Sequence, residues 1–216
     1  MRLDVFTLVP GAFEWQRERR PVAAVLDSAL ELRILNYRDT TPLRAGQVDD
    51  EPYGGGPGMV LRVDVVAAAL ESVYGGVPDH RVVALTAHGR QLDQGLVEEL
   101  AGEPALTLLT SRFEGFDQRI LDHLATESIS IGPYVLSGGE IPALALIDAI
   151  VRRLPGALTQ GSGEIESFSS ALGGGLEYPH YTRPAEFRGW EVPEILLSGD
   201  HARIDSWRRE RVRSAR

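Results

Sequence analysis

The stretch SIGPYVLSGGE, residues 130–140, places a short run with β-branched residues before a serine and a pair of glycines. The residues that follow, IPALALIDAIVRRL, have the apolar spacing of an amphipathic helix. A strand that ends on paired glycines and restarts as a helix leaves backbone N–H groups free to approach a ligand. On its own, however, the pattern is more typical of a tight structural turn in an α/β domain.

Strand and helix signals alternate on both sides of this stretch. Such alternation predicts an α/β fold with a parallel sheet covered by helices on both faces. Strands are predicted at residues 2–9, 32–37, 82–86, 106–110 and 126–131, with a further strand signal at 134–136. Helices are predicted at residues 13–30 with a break at Pro21, at 63–74 and 92–100, around Ile120 and Leu124, and after Gly139.

The size and composition of the chain limit its class. Its 216 residues are enough for one full α/β domain and a small appendage. The absence of cysteine excludes disulfides, thiolate metal sites and a cysteine nucleophile. A net charge of -9 argues against nonspecific nucleic-acid binding by the whole surface. Without an apolar run of membrane-spanning length or a signal-peptide pattern, we expect a cytoplasmic protein with no membrane association.

A glycine-rich loop, VDDEPYGGGPGM at residues 48–59, ends a long connection after the second strand. Loops of this length and composition are usually functional or mobile. The GGGPG run can bring backbone close to a flat ligand, with Tyr53 at its entrance. Because the GK[ST] ending is missing and no GxGxxG follows a strand, a nucleotide-triphosphate site is poorly supported.

The composition changes after the helix that follows Gly139. Residues 157–176 are rich in Gly, Ser, Thr and Gln, which predicts a flexible linker. A second small unit follows, whose helix is capped by Ser198 or Asp200 and has Ile204 and Trp207 on one face. Its arginines form either a phosphate-contacting helix or a solvated surface. They are Arg203, Arg208, Arg209, Arg211, Arg213 and Arg216.

Five long motifs in this order resemble one family. They are VDDEPYGGGPGM, SRFEGFDQR, SIGPYVLSGGEIPALALIDA, LEYPHYTRP and VPEILLSGDHARIDSWRRE. Together they resemble the bacterial tRNA (guanine-N1)-methyltransferases of the TrmD family, in the SPOUT class, from Met1 to about Arg211. The resemblance implies a deep trefoil knot in the parallel sheet, a rare exception to the rule that chains do not thread their own loops.

The resemblance also implies a domain organisation. Residues 1–156 would form the knotted, S-adenosylmethionine-binding catalytic domain, and 157–176 the linker. Residues 177–216 would form a shortened, mainly helical, tRNA-binding domain. Members act as homodimers in which the knot of one chain faces the linker and small domain of the other. The polar linker is expected to order when tRNA or a partner supplies contacts.

The activity implied is S-adenosylmethionine-dependent methylation of N1 of the guanosine immediately 3′ of the tRNA anticodon, position 37, with a preference for a preceding G. This modification helps to maintain the reading frame. A magnesium ion is implied as a second requirement, with Glu114 orienting either that ion or the guanine. No residue is assigned as a metal ligand.

Site residues follow from the family motifs, residue by residue. The methyl donor would be held by three loops, residues 85–89, 111–115 and 131–142. The implied contacts are Leu85, Ala87, Gly89, Ser111, Phe113, Glu114, Gly115, Ser130, Ile131, Gly132, Tyr134, Val135, Leu136, Gly138, Gly139 and Pro142. The implied substrate contacts are Tyr53, Gly55, Gly56, Glu114, Glu177, His180, Arg183, Ser198 and Arg208.

Methylation at N1 of guanine requires removal of a weakly acidic ring proton while negative charge builds on O6. A carboxylate base and a nearby cation would serve. By resemblance the base is Glu166, where the family commonly has Asp, and the cation is Arg152. The alternative for Arg152 is a surface ion pair with Asp148, four residues earlier on the helix.

Several positions depart from the family pattern. Glu177 stands for Asp, Ser111 for Gly, Phe113 for Tyr, Ala87 for Pro and Pro133 for Asp, and the GGG at 173–175 looks inserted. The departures at Glu166, Glu177 and Ser111, with the short C-terminus, support a second hypothesis, a dimeric cofactor- and RNA-binding module with little catalysis. A third, a related knotted methyltransferase with another RNA target, agrees less well with the LEYPHYTRP and GGGPGM motifs.

Overall fold

The computed structural model describes residues 1–159, 162 and 165–214. The chain divides into two units, Met1–Leu158 and Thr159–Arg216. This division groups residues 159–176 of the predicted linker with the C-terminal unit and leaves residues 157–158 in the first unit. Arg216 of the predicted arginine cluster, and residues 160, 161, 163 and 164 of the predicted linker, lie outside the described residues.

A parallel sheet forms the centre of the first unit, as the alternating pattern predicts. Its strand order is β2-β1-β6-β5-β7, and every pairing is parallel. A separate antiparallel ribbon joins β3 to β4. The strands are β1 (Arg2–Thr7), β2 (Glu31–Asn36), β3 (Asp49–Asp50), β4 (Val60–Leu61), β5 (Arg81–Gln91), β6 (Ala105–Leu109) and β7 (Glu127–Ser130).

Helices pack on both faces of this sheet. Leu3 and Val5 of β1 belong to one buried cluster, with Ile147 of the helix Glu140–Val151, while Phe6 belongs to a second cluster, with Val66 of the helix Val63–Tyr74. Successive side chains of a strand point to opposite faces, so β1 contributes to both layers. The helices are α1 (Glu14–Arg17), α2 (Val22–Val25), α3 (Val63–Tyr74), α4 (Gln94–Ala101), α5 (Gln118–His123) and α6 (Glu140–Val151).

Two predicted elements differ from the structure. The break at Pro21 is present, but no helix extends to Leu30, because the backbone leaves the helical region at Leu26 (ψ 137°) and Asp27 (φ 60°). The strand predicted at residues 134–136 is wrong. Tyr134 N–H donates to Gly132 O at 2.9 Å, and this tight turn places the segment in an exposed loop.

In its described residues, the second unit contains a small hairpin, a short 3-10 helix (Ser170–Leu172) and two α-helices. The hairpin joins β8 (Glu186–Phe187) to β9 (Trp190–Glu191), and the helices are α7 (Glu194–Leu197) and α8 (His201–Arg209). Asp200 is the N-cap of α8, since its Oδ1 accepts the Arg203 N–H at 3.1 Å. Leu176 and Arg213 exchange backbone hydrogen bonds of 2.7 and 3.2 Å.

None of the helices in the described part of the chain has the length and apolar character needed to cross a membrane.

Candidate functional site

A pocket of about 260 Å³ lies in the first unit, beside the carboxyl ends of β6 and β7 and an irregular part of β5. The carboxyl edge of a parallel sheet is the usual position for a ligand site. The pocket is lined by Leu85, Thr86, Ala87, His88, Ser111, Arg112, Phe113, Glu114, Gly115, Phe116, Gln118, Leu121, Ser130, Ile131, Gly132, Tyr134, Val135, Leu136, Gly138, Gly139 and Pro142.

One wall of the pocket is formed by a detour in β5. Leu85 and Arg90 both pair with Ile129 of β7, so the residues between them leave the ladder. Residues 86–88 of this detour line the pocket, but Gly89 does not. A Cβ atom at Gly89 would lie 2.4 Å from the Ile129 backbone nitrogen. Gly89, predicted as a cofactor contact, instead lets the detour return closely against β7.

The paired glycines hold two of the pocket loops together. Gly139 N–H donates to Ser111 O at 2.8 Å. A Cβ atom at Gly139 would lie 2.9 Å from the Thr110 Cα, and one at Gly138 would lie 3.2 Å from Ser111 O. The glycines are therefore required by the close approach of another loop rather than by the turn alone.

The loop that carries Glu114 is joined to the glycine-rich loop. Glu114 N–H donates to Met59 O at 2.9 Å, and Leu61 N–H donates to Gly115 O at 3.0 Å. The Glu114 side chain covers Gly58, where a Cβ atom would lie 2.3 Å from its Oε1. The segment 48–59 is thus brought to the rim of the pocket.

A wider groove of about 880 Å³ adjoins the pocket and shares Phe116 and Gln118 with it. Tyr53 lines the groove and its side chain is fully exposed, whereas Gly55 and Gly56 lie outside the lining. The other residues that line it are Asp50, Glu51, Pro52, Val60, Arg62, Val63, Asp64, Asp117 and Arg119.

Both arginines of this groove are paired with carboxylates. Arg62 lies 2.8 Å from oxygens of Asp50 and of Asp64, and Arg119 lies 2.6 Å from Asp117. The hydrogen bonds from the arginines lower the pKa values of Asp64 and Asp117 below the usual range. The four carboxylates of the groove outnumber its two arginines, so its field is acidic.

A carboxylate that the sequence analysis did not assign is buried behind the pocket. Glu140, the first residue of α6, is 4% exposed, accepts a hydrogen bond from Thr7 Oγ1 at 3.1 Å and lies 3.4 Å from Arg112 Nε. Burial, and then the negative charge of Glu140, raise the pKa of Tyr37 well above its usual range. The one available sequence signal was an acidic residue in the first turn of a helix, where the helix dipole favours negative charge.

Other lining residues were also missed. Phe116, Gln118 and Leu121 follow the SRFEG segment and line the pocket from the start of α5. Their residue types alone do not indicate a binding site, so they could be assigned to the pocket only once the fold was known.

The two predicted catalytic residues lie in different units. Arg152 is the C-cap of α6 in the first unit, is partly buried, and its backbone N–H donates to Asp148 O at 3.2 Å. Glu166 is in the second unit, also partly buried, and its backbone oxygen accepts the Ser169 N–H at 3.0 Å.

The second unit brings three of the predicted substrate contacts together. His180 Nε2 lies 2.8 Å from Glu177 Oε1, and the His180 ring is 5.0 Å from the Tyr178 ring. The Arg208 guanidinium lies over the same Tyr178 ring, 5.2 Å from its centroid. Ser198 lies in the turn before α8, where its hydroxyl donates to Ile195 O at 2.7 Å, and Arg183 is exposed.

Among the described residues, no group of three or more His, Asp or Glu side chains is arranged to hold a metal ion. Glu114 is the acidic residue among those that line the pocket.

Comparison with known proteins identifies relatives over nearly the whole chain. The sequence model of the family described as tRNA (Guanine-1)-methyltransferase TrmD matches residues 1–215. A tRNA (guanine-N(1)-)-methyltransferase of Gloeobacter violaceus is 50% identical over 213 residues, covering 97% of this chain and 92% of that protein. Proteins of the same name from Brevibacillus brevis and Exiguobacterium sibiricum are each 47% identical, over 96% and 98% of this chain and 85% and 86% of theirs.

Proposed function

Because the chain belongs to the tRNA (guanine-1)-methyltransferase TrmD family, we propose that it transfers a methyl group from S-adenosylmethionine to N1 of the guanosine immediately 3′ of the tRNA anticodon, position 37. The observation that carries the proposal is the pocket. All of the predicted methyl-donor contacts except Gly89 line it, although they come from three separate segments of the chain.

The residues of the pocket fit S-adenosylmethionine. Leu85, Ile131 and Leu136 offer apolar surface for the faces of an adenine, as small-molecule sites usually do. The glycines allow backbone N–H and C=O groups to reach its polar edge. Thr86 Oγ1, on the detour of β5, is buried without a hydrogen-bond partner in the described part of the chain, which leaves a polar atom for a ligand.

When bound, S-adenosylmethionine supplies an electrophilic methyl group. The protein has to remove the N1 proton and to stabilise the negative charge that develops on O6. We assign the first role to the Glu166 carboxylate, as general base, and the second to the Arg152 guanidinium. Both assignments rest on the family motifs.

The groove that adjoins the pocket supports binding of the target base. Its arginines are already paired with Asp50, Asp64 and Asp117, so it is poorly suited to a phosphate. Carboxylates accept hydrogen bonds, and the Watson–Crick edge of guanine presents N–H donors. Exposed Tyr53 offers an aromatic face for stacking. We therefore place the guanine at this junction, with Glu114 between the groove and the methyl donor.

A homodimer with shared active sites is part of the proposal, as is the trefoil knot. Ile141 of α6 and Trp15 of α1 are 59% and 66% exposed, although both are large and apolar. Their helices are joined by the hydrogen bond from Gln16 Nε2 to Leu144 O at 2.7 Å. Exposed apolar side chains on adjoining helices favour a surface that a second subunit covers.

A magnesium requirement stays a prediction of the resemblance. The described residues provide no preformed group of ligands for it, and the roles proposed for Glu166 and Arg152 do not depend on one.

The proposed substrate is tested by methyl incorporation into tRNA transcripts. A transcript with G at position 37 after G36 is expected to be methylated at N1, and one with A at position 37 is not. Mapping the product by reverse-transcription arrest and mass spectrometry locates the methyl group. Equal incorporation into both transcripts, or none into either, would contradict the proposal.

Replacing Gly139 by Ala is expected to weaken S-adenosylmethionine binding about tenfold or more, because overpacking against Thr110 costs roughly 1–3 kcal/mol. The φ of Gly139 is -81°, which alanine adopts freely, so the variant isolates the steric effect. Calorimetric titration measures the affinity. Gly76→Ala is the matched control, since nothing lies within 4 Å of its Cβ position. Equal affinity in the two variants would contradict the prediction.

A further inference from the structure

Glu140 is a buried carboxylate whose two oxygens face different segments of the chain. Oε1 accepts a hydrogen bond of 3.1 Å from the Thr7 hydroxyl, at the end of β1. Oε2 lies 3.4 Å from Nε of Arg112, in the loop that follows β6. Glu140 itself begins α6, so one side chain connects three segments that are far apart in sequence.

The same carboxylate lies directly beneath the glycine pair. A Cβ atom at Gly138 would lie 2.5 Å from Glu140 Oε2 and 3.2 Å from Arg112 Nε. Both Gly138 and Arg112 line the pocket, whereas Glu140 does not. A group behind the pocket therefore contacts both loops, in addition to the direct hydrogen bond from Gly139 N–H to Ser111 O.

Arg112 is well placed to transmit this constraint. Its side chain is 37% exposed and its Nε is buried, with the Glu140 carboxylate as the anionic group beside it. Its backbone belongs to the loop that holds Glu114 and Gly115. Anchoring the Arg112 side chain thus fixes the loop that carries it.

We propose that Glu140 is a positioning residue for methyl-donor binding: through its ion pair with Arg112 and its hydrogen bond to Thr7, it holds the loop after β6 at a fixed distance from the Gly138–Gly139 loop. It does not touch the ligand. The inference rests on the proposed function, since it assumes that the pocket binds S-adenosylmethionine.

A purely structural role predicts different behaviour. Asp4 is equally buried and is hydrogen-bonded to Arg33 and Tyr74 at 2.5 to 2.6 Å, but none of these residues lines the pocket. Asp4→Asn is therefore a matched control. It is expected to lower the unfolding temperature while leaving the affinity for S-adenosylmethionine within about twofold of the wild type.

The test is a double-mutant cycle on the dissociation constant of S-adenosylmethionine, measured by calorimetry on the full chain. Glu140→Gln keeps an oxygen for Thr7 but removes the charge that faces Arg112, and Arg112→Gln removes the partner. Each single variant is expected to raise the dissociation constant about tenfold, because it leaves one member of the ion pair between Arg112 and the buried Glu140 carboxylate without its partner. The double variant is expected to be no worse than either single one.

Additive effects in the double variant, or an unchanged dissociation constant in Glu140→Gln, would overturn the inference. If Glu140→Gln does not fold, Arg112→Gln tests the inference by itself. An unchanged dissociation constant for S-adenosylmethionine in Arg112→Gln would show that Glu140 does not act through Arg112. Wild-type protein that fails to bind S-adenosylmethionine would instead contradict the proposed function, so the two failures are distinguishable.

Discussion

Replacement of Glu166 by Gln is expected to lower kcat for tRNA methylation by roughly 10²- to 10⁴-fold, the usual contribution of a general base. Glutamine keeps the shape of the side chain but cannot take the N1 proton. Because Glu166 does not line the pocket, the affinity for S-adenosylmethionine should stay within about twofold of the wild type. Single-turnover methylation with saturating tRNA separates the chemical step from binding.

Glu166→Asp is the informative companion variant. It restores the residue that the family commonly has and retains a base, so its kcat is expected to lie within about tenfold of the wild type. A similar loss in the Asp and Gln variants would show that size rather than basicity matters at this position. Loss of methyl-donor binding in the Gln variant would contradict the role assigned to Glu166.

Replacement of Arg152 by Ala is expected to lower kcat by roughly 10²- to 10³-fold, as removal of one group that stabilises a developing oxyanion does. Arg152 follows the last residue of α6, where truncation of a partly buried side chain leaves the helix itself intact. Arg152→Lys retains the charge but not the planar fork of donors, and it is expected to recover part of the rate. Circular dichroism provides the folding control.

The arrangement of the two residues can be tested by mixing variants. If a site combines Arg152 of one subunit with Glu166 of the other, a dimer of one Arg152→Ala chain and one Glu166→Gln chain contains one intact site. Random assortment of equal amounts then restores about a quarter of the wild-type activity. If each site is built within a single chain, every site carries a defect and mixing restores nothing.

Local patterns were sufficient for the framework of the first unit. The helix predicted at residues 63–74 is α3 with the same bounds, because its apolar period is regular and Gly75 ends it in the left-handed conformation. The strand predicted at Tyr134–Leu136 was wrong because that prediction rested on residue type alone. Aromatic and β-branched side chains favour strands, but here they lie in an exposed loop, which pairs with no strand in the described part of the chain.

The residues of the pocket could be predicted from the family motifs but not from the composition of the chain. Its three loops come together only because the parallel strands place their carboxyl ends side by side. The role of Glu140 could be predicted neither from local sequence patterns nor from the family motifs. Its partner Thr7 is 133 residues away in the chain, so no local period or spacing could connect the two. The sequence pattern marks such a residue as an ordinary helix start.

The detour in β5 separates the shape of the pocket from the integrity of the sheet. Leu85 and Arg90 pair with the same residue of β7, so the register shifts across the detour and residues 86–88 make no pairing of their own with β7. We therefore expect changes of residue type at 86–88 to alter ligand preference with little cost in sheet pairing, as long as Gly89 is kept. Ala87, where the family usually has proline, lies in this segment.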